Sequence, residues 1–290
     1  MPPGTKPPRW RVIAHSEQGA SHVRRNLSNQ DAVKSSMPSD GSAPIVLAVA
    51  DGHGSPKSFR SEIGASFAAD SAVTVCCDFL ERIRDASATV IKNSAEQQVP
   101  RRIIDKWKQQ VDQHLSANPF SAGELELVTQ ERYPVAYGST VLLVAITNQF
   151  LLFFQLGDGE ILMVSDTGEV TRPIPKDPAL IANETTSLCM KNALPEFRFR
   201  FQHANDPPPG LVLLSTDGYP NSFSSQDGFL KVGTDLLEIL RTDGGDSVER
   251  DLPGWLRDAS TLGSGDDVTL AIVYRVEPLL GVPSEANDNS

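Results

Sequence analysis

Apolar positions along this chain fall into two periods. Several runs are short, almost unbroken and bounded by turn residues: "IVLAVAD" at 45–51, "GSTVLLVAI" at 138–146, "FLLFFQLGD" at 150–158, "EILMVSDTG" at 160–168, "FRFRFQH" at 197–203, "GLVLLSTDG" at 210–218 and "DVTLAIVYR" at 267–275. Such runs predict β-strands joined by short turns, and their succession suggests antiparallel sheet. "WRVIAHSEQG" at 10–19 predicts another strand, followed by a basic turn, "SHVRRNLSNQDAV". Elsewhere the apolar residues recur every three or four positions. Phe59, Ile63, Phe67, Val73, Cys76, Phe79, Leu80 and Ile83 predict a long amphipathic helix over 57 to about 84. Pro100 suits the first turn of a second helix, with Ile103, Ile104, Trp107, Val111 and Leu115 on one face. Two shorter helices are expected near 230–241 and 246–260.

The order is therefore strand, helices, many strands, helices, strand. This is an α+β pattern with sheet at the centre and helices outside. One domain over 11–276 is expected, between loose tails at 1–10 and 277–290. Residues 172–196 hold four prolines and little periodicity, which predicts a surface excursion.

Charge and composition narrow the function. The 290 residues carry a formal net charge of −11, which argues against nucleic acid and anionic membrane surfaces as partners. Cys76, Cys77 and Cys189 are odd in number and lack metal-ligand spacing, as expected of reduced thiols in a cytoplasmic protein. The N-terminal "MPPGTKPPRW" lacks the apolar core of a signal peptide, and the greasiest stretch, at 141–159, is broken by Thr147, Asn148 and Gln149.

The candidate chemistry lies in the aspartates. Asp31, Asp51, Asp158, Asp217, Asp266 and Asp267 all stand where an apolar strand begins or ends, four of these places with a glycine directly beside an aspartate. Each alone suits a turn. Together they suit a hard divalent cation, Mn²⁺ or Mg²⁺, which prefers an oxygen cage of a few carboxylates and a carbonyl. Without a cation, gathered carboxylates repel and raise each other's pKa. Separate turns that never meet in space are the competing reading.

In this order, "NQDA", "VADGHG", "GST" at 138–140, "LGDGE", "STDG" and "GDDVT" resemble the metal-dependent type 2C Ser/Thr protein phosphatases, in their bacterial form. The resemblance implies a four-layer sandwich of two antiparallel sheets flanked by helices. It implies a dinuclear metal-activated water that hydrolyses phosphoserine or phosphothreonine in proteins, the targets of Ser/Thr kinases. Asp51 would bridge two cations, the Gly52 carbonyl would bind one, and Asp217 and Asp266 would hold the second. Asp31 would sit beside the cage, and Asp158 with Asp217 would form a weaker third site. His53 would protonate the leaving oxygen, and Arg24 or Arg25 would clamp the phosphate, although "RRNLSNQD" is longer than the usual interval. Asp267 stands where the family usually has Asn, and Gly159 where it has Ser. The excursion at 172–196 matches the family's variable flap. His15, His22, His114 and His203 are read as surface or packing residues. A small-molecule phosphohydrolase and a non-catalytic phosphoprotein-binding regulator are the alternatives.

Overall fold

A computed structural model describes residues 7–176, 185–204 and 208–276. Its elements are β1 (Trp10–Glu17), α1 (Ala20–Arg25), β2 (Asp31–Ser36), β3 (Ile45–Asp51), α2 (Ser61–Arg82), α3 (Ala88–Ala117), α4 (Ala122–Leu127), β4 (Val141–Ile146), β5 (Phe150–Leu156), β6 (Glu160–Val164), β7 (Val170–Thr171), β8 (Arg198–His203), β9 (Leu211–Ser215), α5 (Gln226–Thr242), α6 (Gly245–Ala259) and β10 (Val268–Arg275). The strands form two five-stranded sheets, β1-β10-β9-β6-β7 and β2-β3-β4-β5-β8, with antiparallel pairing throughout.

The unbroken apolar runs follow from strands covered on both faces. In β3, Ile45, Leu47 and Val49 point between the sheets, where they meet Val212 and Leu214 of β9 and Ala271 and Val273 of β10. The alternate residues Val46, Ala48 and Ala50 pack under α2 and α3. On the far side, Leu213, Leu270 and Ile272 pack under α5 and α6. The result is the expected four-layer sandwich. Alanines 65, 68, 69 and 72 let α2 lie close to its sheet. That helix is long and apolar enough to cross a membrane by composition, but most of its apolar window is buried inside the protein.

Three elements differ from expectation. The second helix does not start at Pro100; it starts at Ala88, capped by Ser87, with Pro100 buried in its interior. Ile91, Ala95 and Val99 extend its apolar stripe upstream. The basic turn at 21–33 instead holds the short α1 and the start of β2. The strand that the tail at 1–10 leads into begins at Trp10, which is buried. Of the expected tails, residues 1–6 and 277–290 lie outside the described residues, as do 177–184 of the excursion.

Candidate active site

Alternating strand direction brings the aspartates together. β3 and β5 run the same way, so Asp51 at the end of β3 and Asp158 in the turn after β5 reach one edge of their sheet. β2 runs against β3, so its first residue, Asp31, pairs with the last residue of β3, Asp51. In the other sheet, Asp217 follows β9 and Asp266–Asp267 precede the antiparallel β10, again at a shared edge.

The two edges meet. Carboxylate oxygens of Asp51, Asp158 and Asp217 all lie within 4.8 Å of one another. Two of these residues come from one sheet and the third from the other, so the cluster spans the sandwich. Burial is the largest cause that pushes Asp51 well above the ordinary carboxylate range, with the charges of Asp31, Asp217 and Asp158 adding to it. Asp217 rises to about 6, through burial and then the charge of Asp158. Asp31 is pushed up to about 8, mainly by burial, although two hydroxyls stabilise its charged form. Carboxylates crowded this way without a cation hold protons they would otherwise release. A divalent cation removes the repulsion, and an all-oxygen donor set suits Mg²⁺ or Mn²⁺.

The motif threonines explain how the aspartates are held. Thr216 Oγ1 and Thr269 Oγ1 donate to Asp31 Oδ2 at 2.7 and 2.8 Å. Thr140 Oγ1 accepts from the Asp51 amide at 3.0 Å, and the Thr140 amide donates back to the Asp51 carbonyl at 2.9 Å. Each threonine belongs to a signature stretch, yet spacing alone does not reveal these bonds. Gly52 is required by close approach: a Cβ there would lie 2.6 Å from the Gln30 carbonyl oxygen and 2.7 Å from that of Ser61.

His53 stands next to the cluster, its amide donating to the Gly138 carbonyl at 3.0 Å. Its ring presses on Gly138, where a Cβ would come within 2.4 Å of Cδ2. Burial holds the imidazole below its usual range, against an opposing pull from Asp158. The excursion closes this side. Thr186 Oγ1 accepts from the Gly157 amide at 2.9 Å, and the Leu188 amide donates to the Ser139 carbonyl at 2.9 Å. At its other end, Arg172 and Lys176 both pair with buried Glu160, each at 2.7 Å. Both limbs are thus anchored within two residues of Asp158 or Thr140.

The other expected residues are placed differently. Asp266 is exposed, and it acts on Asp217 through its charge rather than joining the tight trio. Asp267 is buried; it accepts from the Gly19 amide at 2.6 Å and the Gln30 amide at 2.7 Å. These N–H groups favour the charged form, but burial outweighs them and raises the Asp267 carboxyl above its ordinary range. Arg24 is exposed at the end of α1, and Arg25 folds back onto the Ser21 carbonyl at 3.3 Å. His114 is a packing residue as expected, edge-on to Phe67 and Tyr137 with Nδ1 2.8 Å from the Tyr137 hydroxyl. One histidine departs from the surface-or-packing reading. His22 is 3 % exposed and lies between Asp266 and Asp267. It shows no metal-ligand spacing in the sequence and is brought to the acidic edge only by the fold.

A sandwich of two antiparallel sheets with carboxylates of both sheets gathered at one edge is the architecture of a phosphatase class, and the comparisons agree. The profile described as "Protein phosphatase 2C" matches residues 18–257, and the chain belongs to that family of metal-dependent phosphatases. The match ends before Asp266 and Asp267. Among solved structures, the chain is similar in fold to a bacterial serine phosphatase (16% identity, 92% of this chain and 98% of that one, TM-score 0.58). It is also similar to the catalytic domain of the Ser/Thr phosphatase PstP, whose crystal holds two manganese ions (19% identity, 93% and 99%, TM-score 0.55). A third is PppA, a regulatory component of type VI secretion in Pseudomonas aeruginosa (20% identity, 92% and 98%, TM-score 0.53). A comparison with curated protein sequences returned no match.

Proposed function

We propose that this chain hydrolyses phosphoserine or phosphothreonine in proteins, using two divalent cations held at the meeting edges of its sheets. The observation that carries the reading is the convergence of Asp51, Asp158 and Asp217 within 4.8 Å, with the carboxyls of Asp51 and Asp217 raised above their ordinary range by burial and neighbouring charge. Asp51 sits centrally, coupled in charge to Asp31, Asp217 and Asp158. It is the residue best placed to be shared by two cations, with the Gly52 carbonyl beside it. Asp217 and Asp266 hold the second cation in this reading, Asp158 joins Asp217 at a third and weaker site, and Asp31 lies next to the cage. Bound Mn²⁺ or Mg²⁺ supplies an acidified water and neutralises charge on the phosphoryl oxygens.

The chain's own residues do the rest. His53, next to Asp158 and packed on Gly138, is positioned to give a proton to the departing Ser or Thr oxygen. Burial lowers its basicity, so the proton it holds is readily released, while the charge of Asp158 favours its protonated form. Arg24 and Arg25, on the short α1, are the candidate phosphate clamps, since a guanidinium fork matches a phosphate dianion. The anchored excursion is the candidate contact for the protein around the phosphorylated residue. The shared core between the sheets supports reading 11–276 as one catalytic domain. The acidic surface and reduced thiols favour a cytoplasmic enzyme whose partners are kinase substrates rather than nucleic acid or membrane.

The test is hydrolysis of a phosphothreonine peptide by protein stripped with EDTA, before and after Mn²⁺ is restored. Turnover that requires the cation supports the reading. Undiminished turnover in EDTA contradicts it.

A further inference from the structure

The acidic edge has a second cluster, formed by His22, Asp266 and Asp267, whose ligand atoms also lie within 4.8 Å of one another. Its geometry differs from the first. His22 sits on α1 with its side chain 4 % exposed, Nδ1 2.8 Å from Asp267 Oδ2 and Nε2 3.6 Å from Asp266 Oδ1. The Nδ1 contact is close but is not aligned as a hydrogen bond, and Nδ1 has no other partner among the described residues. A buried imidazole of this kind is costly unless its nitrogens serve a purpose. Here the two nitrogens face two adjacent carboxylates.

The backbone around the ring is stitched to the same segment. Gly19 N–H donates to Asp267 Oδ1, Ser21 N–H donates to the Gly265 carbonyl at 2.8 Å, and Ala20 N–H donates to Ser260 Oγ at 2.9 Å. Ser260 Oγ in turn donates to the Asp266 carbonyl at 2.8 Å. The Asp267 amide donates to Asp266 Oδ1 at 2.9 Å. Asp266 Oδ1 is therefore bonded by an N–H and faced by His22, which among the described residues leaves Oδ2 as the oxygen available to a cation. Asp266 also acts on Asp217 through its charge, so the two carboxylates share one neighbourhood.

We propose that His22 is a positioning residue of the metal centre: through its ring it sets the Asp266 carboxylate, and with it the affinity of the cation shared with Asp217. The inference rests on the metal-dependent reading above. Partners that orient a ligating carboxylate from outside the cage commonly change metal affinity by about 10–100-fold. His22 touches neither substrate nor reacting atoms, so its effect lies in cation uptake.

The experiment is calorimetric titration of EDTA-stripped protein with Mn²⁺. His22→Phe keeps the ring volume and removes both nitrogens. It is expected to weaken one of the two Mn²⁺ binding events by about 10–100-fold while leaving the other within about threefold. His22→Gln, whose amide nitrogen reaches the Nε2 position, is expected to restore most of that affinity, whereas His22→Asn, which reaches only the Nδ1 position, is not. Adding His22→Phe to Asp266→Asn should change Mn²⁺ uptake no further than Asp266→Asn alone. Unchanged Mn²⁺ affinity in His22→Phe overturns the proposal, and so does an equal additional loss in the Asp266→Asn background. If His22→Phe fails to fold, as judged by thermal unfolding in EDTA, the Gln and Asn variants decide, and equal uptake by both overturns it. Wild-type protein that takes up no Mn²⁺ overturns the metal reading and this inference together. Normal wild-type uptake with normal His22→Phe uptake overturns this inference alone.

Discussion

Two groups of carboxylates lie at the same edge of the sandwich, and they are handled differently. Burial raises Asp267 as well, but there the protein supplies a counterweight: two backbone N–H groups at 2.6 and 2.7 Å and the His22 ring face it. Around Asp51 no cation of the protein is among the main influences; its neighbours in charge are Asp31, Asp217 and Asp158. The first arrangement is a finished support. The second is incomplete on electrostatic grounds, because burial and like charges disfavour ionisation with nothing to offset them. What distinguishes a binding centre from scaffolding at this edge is therefore how its negative charge is balanced, since both clusters have similar compactness and both draw on signature stretches.

The sharpest way to break this comparison is to remove one carboxylate from each cluster. Asp51→Asn should lower phosphopeptide turnover by about 10²–10³-fold, as expected when a central electrostatic group is lost. In EDTA the same variant should melt at a higher temperature than wild type, since folding no longer has to hold a proton on a carboxyl that the unfolded chain would ionise. Steady-state kinetics and thermal unfolding read the two effects. Asp267→Ala should behave in the opposite sense, destabilising the fold by about 2–4 kcal/mol with or without Mn²⁺, because two amide donors lose their acceptor. Equal thermal responses from the two variants would remove the distinction.

A pH series sharpens it further. Asp31 is pushed up to about 8 from an ordinary 3.8. Above about pH 4 the unfolded chain releases a proton that the folded, cation-free protein retains. Stability in EDTA should therefore fall as pH rises from about 4 to about 8, and level off once the folded carboxyl also ionises. Asp31→Asn should flatten that slope in thermal unfolding, and saturating Mn²⁺ should do so in wild type. The smallest effect is expected of Thr216→Val, which removes one hydroxyl from Asp31, worth about 1 kcal/mol. The concentration of Mn²⁺ giving half-maximal activity should rise by about fivefold.

Much of this edge was legible from residue order. The strands β3, β4, β5, β9 and β10 are covered on both faces, so their apolar runs are nearly continuous. The aspartates at their ends could be read as a set. β2 was not legible in the same way, because "DAVKSS" is an edge strand with its second half exposed and carries no apolar run. Pro100 misled in another manner: it suits a helix start, yet Ser87 caps the helix thirteen residues earlier and the apolar face continues through Pro100. His22 was out of reach, since its partners lie more than 240 residues away and are joined only when β1 pairs with β10. The bonds from Thr216 and Thr269 to Asp31 likewise cross between the sheets, a relation that local patterning does not encode.

The central claim is that the Asp51 cluster is a cation cage. A crystal grown with Mn²⁺ and measured for anomalous scattering tests it most directly. The account predicts two strong peaks in contact with Asp51 carboxylate oxygens, one of them also on Asp217. Peaks confined to other surfaces, with oxygens of Asp51, Asp158 and Asp217 bare, would contradict it.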